Sequence, residues 1–371
     1  MPSIMEIKTA SSNRLLSLDV MRGAIMVLLT LESTGLYEHL EEVKGGFIYH
    51  QLIQQFFHHP WHGLRFWDMI QPAFMFMAGT AMAFSLEKQR SLGISWSDSW
   101  KKTLKRSFWL FFWGILNYAV GSDGSLSFKL WNVLTQLSFT TLLAFLFFRW
   151  TYVQQVLGCI VLLLLTEMLY RFTNVPGFDL PFIDQQNFGN YVDLILMNKI
   201  NQDGWVAINC IPTAVHTIAG AMAGKYIIQT RTKLRDLFLW AAISIIVGYS
   251  LDLMNITPII KRIATSSFTL VTLGWCLLAL AIICWWVDIR HHNKGLFFFT
   301  VIGMNSIFIY LFFEIVGARW FNGYIGNISN GLMSIINLKG SPANIITSLV
   351  IFSLEWLLCL WLYRKKIFFK L

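Results

Sequence analysis

Apolar runs close to twenty residues long recur from Leu15 to Tyr363, and a helix needs a run of that length to cross a hydrocarbon core of about 30 Å. Backbone N–H and C=O groups find no water in lipid, so only helices and closed barrels can span it. Barrel strands would alternate apolar and polar residues over segments of about ten, whereas these runs are longer and apolar on every face. The chain is therefore predicted to be all-α, a polytopic membrane protein of about ten transmembrane helices in a single integral domain. The expected spans are 15–35, 67–86, 107–121, 131–148, 154–170, 206–224, 237–254, 267–287, 296–317 and 344–363. Composition agrees, since 13% of the 371 residues are charged against roughly 25% in soluble domains. Asp19 and Arg22 interrupt the first run and no small-residue cleavage site follows it, so it is expected to be a span and not a cleaved signal peptide.

The formal charge of +9 raises the question of nucleic acid, and the placement of the basic residues answers it. Twenty of the 29 Lys and Arg fall in alternate connections: Lys8, Arg14 and Arg22, the six from Lys88 to Arg106, Arg149, the four from Lys225 to Arg235, Arg290, Lys294, and the four from Arg364 to Lys370. The positive-inside rule then places both termini on the cytoplasmic side. The charge is a topology signal, and no nucleic-acid partner is implied. The five cysteines lie in or beside apolar spans without metal-ligand spacing, as buried, inert thiols would.

Three outward connections, 36–66, 171–205 and 318–343, are long enough to carry function. The first is aromatic and histidine-rich (FIYHQLIQQFFHHPWHG), and its central part is expected to lie as a short amphipathic helix at the interface. The third holds Asn322, Gly323, Gly326, Asn327, Asn330 and Gly331 and reads as a turn-rich loop.

An ionisable residue at bilayer depth costs about 2.5–3.5 kcal/mol on insertion scales, so each one inside a span is a candidate functional group. Asp19 and Arg22 share one face of the first span, where they either fix the helix end as an ion pair or bind an anionic cofactor. Glu32 near the outer end of the same span and Asp68 near the outer start of the second face one vestibule. His216 is expected to have a hydrogen-bonded packing role, and Glu314 and Glu355 an interhelical bonding role. The densest cluster is His58-His59-Pro60-Trp61-His62-Gly63, followed by Arg65 and Asp68. It reads as a metal site, as interface anchoring, or as a site where an imidazole serves as general base or nucleophile; the H-H-x-x-H spacing matches no zinc pattern, and no metal is expected.

The stretches RLLSLDVMRG (14–23), HHPWHGLRFWDMIQPAFMFMAG (58–79), IPTAVHTIAGAMAGK (211–225), KRIATSSFTLVTLGW (261–275) and GMNSIFIY (303–310) together resemble the heparan-α-glucosaminide N-acetyltransferase family of membrane acetyltransferases and its bacterial relatives. The resemblance implies transfer of an acetyl group from acetyl-CoA to the amine of glucosamine or a glucosamine-containing glycan. It implies His58 and Asp68 as catalytic residues, Asp19, Arg22 and Asn305 as cofactor-binding, and Glu32, Trp61 and His62 as substrate-binding. The chain departs from the family around Glu32-Ser33, where an asparagine is usual, and at Gln136, where an arginine is usual. An amino-sugar transporter and an envelope polysaccharide O-acetyltransferase are the alternatives. The expected setting is a bacterial cytoplasmic membrane. The expected partners are the lipid bilayer and an amino sugar or glycan end, with a homodimer as an open option.

Overall fold

The computed structural model describes residues 15–119, 126–230 and 233–369. Lys8, Arg14, Arg231 and Lys370, used above for topology, and the end of the third expected span lie outside the described residues. The elements are α1 (Leu16–Ser33), α2 (Leu36–Glu41), α3 (Phe47–Ile53), α4 (Ile70–Ser91, entered by a 3₁₀ turn at Phe66–Met69), α5 (Trp96–Ala119), α6 (Val133–Phe147), α7 (Tyr152–Phe172) and α8 (Phe188–Met197). They continue with α9 (Cys210–Thr230), α10 (Arg235–Leu253), α11 (Ser266–Cys284), α12 (Leu296–Met304), α13 (Ser306–Leu311), α14 (Asn322–Ile335) and α15 (Ser341–Arg364). Among the described residues there is no strand; His62 and Ile260 form an isolated antiparallel bridge.

By length and composition, five of the described helices can cross a membrane, or six if the bent pair at 296–335 counts as one. They build an inside-out exterior. On α7, Leu157, Val161, Leu164 and Met168 stand exposed, while Gln155, Cys159, Leu163, Thr166 and Tyr170 on the opposite stripe are buried. The more polar helices sit within the bundle: α9 packs along α4 and α6, and α1 along α12. Thr213, His216 and Thr217 of α9 are buried, His216 bonding Thr272 of α11 at 2.9 Å.

Small residues set these crossings, because helices in lipid associate through close van der Waals approach. A Cβ on Gly79 of α4 would stand 1.9 Å from the Thr217 carbonyl oxygen, and one on Gly220 of α9 would stand 2.0 Å from that of Phe76. Gly23 of α1 meets the Phe299 carbonyl of α12 in the same way.

Three sequence expectations change here. The run 296–317 is not one straight helix: it breaks at Asn305 with a bend of 72°. The side chain of Asn305 is committed to the C-terminal segment, donating to Ile367 O at 3.2 Å and accepting from Phe369 N at 3.1 Å. Residues 322–335 are helical rather than a turn-rich loop. They prolong a helix already formed through a π-helical stretch at Phe312–Phe321, and Ser329 and Asn330 bond Thr347 of α15 at 2.8 and 3.0 Å, so tertiary contact overrides the weak propensity of Gly and Asn. Lys101, Lys102, Lys105 and Arg106 belong to α5 rather than to a connection.

The first outward connection holds α2 and α3, and α3 exposes Phe47, Ile48 and Leu52, the disposition of an interfacial helix.

Candidate functional site

The site begins with Asp68. Its Oδ2 accepts the backbone N–H of Arg65 at 2.9 Å and of His59 at 3.2 Å, capping the 3₁₀ turn that opens α4 and folding the histidine loop back onto it. This leaves Oδ1 for the Nδ1 of His58, 3.0 Å away. Arg65 closes the loop by donating to the His58 carbonyl at 3.1 Å. Asp68 is fully buried, whereas about a third of the His58 side chain is accessible.

The loop between α10 and α11 supplies a third member. Gly63 N–H donates to Ile259 O at 2.9 Å, and His62 Nε2 pairs with Asp252 at 2.7 Å, tying that loop to the histidine loop. Lys261 is thereby buried with its Nζ 2.8 Å from His58 Nδ1 and 3.6 Å from Asp68 Oδ1. Trp205 walls this group: the Lys261 ammonium lies 5.2 Å from its ring centroid, and the His58 ring meets it edge-on at 6.2 Å.

The two polar neighbours make opposite demands on one nitrogen. Nδ1 cannot donate to Asp68 and accept from Lys261 at once. With Lys261 charged, it donates to Nδ1 and the imidazole proton sits on Nε2. With Lys261 neutral, Nδ1–H donates to Asp68 and Nε2 presents its lone pair. Burial pushes the His58 pKa below its ordinary value; the Asp68 bond opposes this, and the Lys261 and Arg262 cations add to it. Burial brings Lys261 down to about 8, against the pull of Asp68. Both proton arrangements are therefore accessible near neutral pH.

His58 and Lys261 form one wall of a cavity of about 230 Å³ whose other walls include Glu32, Trp131, Gln136, Tyr310 and Glu314. Trp67 Nε1 donates to Glu32 Oε1 at 3.2 Å. Asn117 and Tyr118 both donate to Glu314 Oε2 at 3.3 Å. Gln71 donates to Gln136, which donates to Asn209, whose amide in turn donates to Arg262 O. The cavity thus holds two carboxylates together with an imidazole–amine pair.

Of the residues the sequence singled out, the structure brings together His58, Asp68 and Glu32. Trp61 packs beside Tyr170, Val206, Ile260 and Ile263 and donates to Phe182 O at 2.8 Å, while His62 is an exposed clasp on Asp252; neither lines the cavity. Asp19 and Arg22 pair at 3.8 Å near the start of α1, away from the His58 end. Cofactor contact at Asn305 would need residues 367–369 to move, because they occupy its amide. Among the described residues, no group of three His, Cys, Asp or Glu is placed to hold a metal. Sequence reasoning missed Lys261, counted as an outer loop charge, and assigned Glu314 only a bonding role between helices. The available signals were the Lys261-Arg262 pair between two apolar runs and its place at the head of the matched stretch 261–275.

Fold and site together define a multi-pass helical membrane protein with a buried histidine–carboxylate–lysine centre at one end of its bundle. No protein-family model matches the chain. The chain is similar to heparan-alpha-glucosaminide N-acetyltransferase of mouse (Mus musculus), 23% identical over 429 aligned residues that cover 99% of this chain. It spans 62% of the length of that relative, and the likeness supports a distant relationship to a membrane N-acetyltransferase.

Proposed function

We propose that this chain is a membrane acyltransferase that moves an acetyl group from the thioester of acetyl-CoA to the amine of glucosamine or a glucosamine-containing glycan. The observation that carries this reading is the His58 ring, held by Asp68 and Lys261 on the wall of a small cavity that Glu32 and Glu314 also line. At about 230 Å³ the cavity lies just below the usual span of ligand sites, about 300–1,000 Å³. It suits a single sugar and an acetyl end, leaving the nucleotide outside it.

The chemistry needs a neutral amine, a stabilised carbonyl oxygen and exclusion of water. The acceptor arrives as an ammonium and releases one proton to water before attack. The amine nitrogen then bonds the carbonyl carbon, and the carbon–sulfur bond breaks. His58 removes the second amine proton at Nε2 and passes it to the departing thiolate. Asp68 accepts the Nδ1–H and orients the ring, and Lys261, neutral in this arrangement, is the N–H donor on hand for the developing oxyanion. Transfer through a brief acetyl-imidazole is the other route open to His58.

In this reading all ten expected spans cross the membrane, with both termini inside a bacterial cytoplasmic membrane. The polar faces of α1 and α9 are turned into the bundle, which supports counting them. Asp19 and Arg22, near the start of α1, then stand at the inner end for the cofactor.

One observation favours a second reading. The break at Asn305 is the kind of interrupted helix on which secondary transporters build their sites, so an amino-sugar transporter stays in competition. Those folds use paired breaks related by an internal repeat, whereas α1 and α4 in the first half run unbroken.

Purified protein in detergent, incubated with radiolabelled acetyl-CoA and glucosamine beside a His58→Ala variant, tests the proposal. Labelled N-acetylglucosamine from the unaltered protein alone is the expected result. No turnover, together with saturable sugar uptake into proteoliposomes lacking coenzyme A, would replace it with the transporter reading.

A further inference from the structure

A second buried polar cluster lies against the π-helical stretch, outside the cavity lining, and plays no part in the chemistry above. Glu355 of α15 is fully buried, and neither of its carboxylate oxygens has a hydrogen-bond partner. The Asn322 side-chain oxygen is likewise buried and unpartnered. Both face one bare patch of backbone: a Cβ built on Gly317 would lie 3.3 Å from Asn322 Oδ1 and 3.4 Å from Glu355 Oε1.

The amide of Asn322 cannot turn to relieve this. Its Nδ2 donates to Ser33 O at 2.7 Å, and a flip would set Oδ1 against that carbonyl. An ionised carboxylate and an amide oxygen can only accept, so three acceptors converge at bilayer depth without a donor. A buried charge left unmatched in this way is among the costlier arrangements a protein can hold. The Cys359 thiol, one turn along α15, is the titratable group that feels Glu355. The acids on the neighbouring elements point elsewhere, Glu314 to Asn117 and Tyr118, and Glu32 to Trp67. No Lys, Arg or His among the described residues pairs with Glu355. Gly317 sits in a π-helical segment, a geometry often found at functional sites.

We infer that Glu355 and Asn322, over the bare backbone of Gly317, form a buried site for one small monovalent cation, taken up as a sodium ion or as a proton. Either species supplies the positive charge or the O–H that the three oxygens lack. The site touches the cavity indirectly: the helical stretch that carries Gly317 also carries Glu314, and Ser33, which anchors Asn322, adjoins Glu32. Occupancy therefore steadies the wall that holds both cavity carboxylates.

The test is thermal unfolding of the full chain in detergent. One series raises sodium chloride at fixed pH, with choline chloride holding ionic strength; the other lowers pH in choline chloride alone. A ligand that binds only the folded state raises the unfolding midpoint, so the unaltered protein is expected to gain several degrees in one of the series. A sodium response identifies the metal ion, and a response to pH alone identifies the proton. Glu355→Gln, whose amide N–H can donate to Asn322 Oδ1 without charge, is expected to lose the sodium response and the share of the pH response that the carboxylate supplies. Asn322→Ala keeps the carboxylate and is expected to retain the response at higher cation concentration. Equal responses of the unaltered protein and Glu355→Gln in both series would overturn the inference.

Discussion

The Nζ of Lys261 stands 2.8 Å from Nδ1 of His58, nearer than the carboxylate of Asp68 at 3.0 Å. Burial disfavours the charged imidazole and this cation adds to it, so the basic form of His58 persists below the usual histidine range near 6.5. Replacing Lys261 by Met removes a positive neighbour and leaves Asp68, which favours imidazolium. The acid limb of the kcat/KM profile for acetyl transfer is expected to move to higher pH in Lys261→Met, with kcat lower by roughly 10²-fold, the lower end for loss of a positioned proton-handling group. A lysine that only braced the loop would leave the limb in place.

Lys261 also predicts an alkaline rise in stability. Its folded pKa is brought down to about 8 from a usual 10.5, so between these values the unfolded chain binds the proton and the folded chain does not. Stability increases with pH wherever the unfolded state holds more protons. The cost of burying the charge is thus full below pH 8 and relieved toward 10.5. Measured in detergent, the unfolding midpoint of the unaltered protein should climb relative to Lys261→Met across that window. Parallel curves would contradict it.

Glu314 accepts from Asn117 and Tyr118 and lines the cavity without reaching His58. Glu314→Gln preserves size and removes the charge that a cationic acceptor would meet. KM for the amine is expected to rise about tenfold, the worth of one charge-assisted contact of about 1.4 kcal/mol. Acceptor-independent thioester hydrolysis should change little, and an equal fall in both rates would assign Glu314 to the fold alone.

Two glycines should respond oppositely to an added methyl or more. A side chain at Gly220 meets the Phe76 carbonyl at 2.0 Å, so Gly220→Val separates α4 from α9 and should abolish the monodisperse peak in size-exclusion chromatography. At Gly326, inside α14, the nearest atom is Thr347 Cγ2 at 3.9 Å. Gly326→Ala should be tolerated and stabilise by about 0.5–1 kcal/mol, the usual helical gain over glycine, read as a small rise in the unfolding midpoint.

The helical class was legible because apolar runs of membrane length leave few alternatives. The His58–Asp68 pairing was legible for a local reason: ten residues of loop return to the start of the next helix, and an acid at that helix start caps it. Glu32 was found because an acid near the end of an apolar run stands out against its neighbours. Residues 322–335 were misread because Asn and Gly signal turns by local propensity, while packing on α15 keeps them helical.

The sequence by itself determined the features that length and composition govern: that the fold is helical, where the long apolar runs lie, and which loop carries the histidines. The tertiary structure alone decided which distant groups meet. Lys261 lies 203 positions from His58 and Glu314 lies 196 from Tyr118, and their approach depends on helix crossings fixed by glycine contacts and on one loop clasped to another. Such contacts depend on three-dimensional packing, which no local pattern of residues encodes.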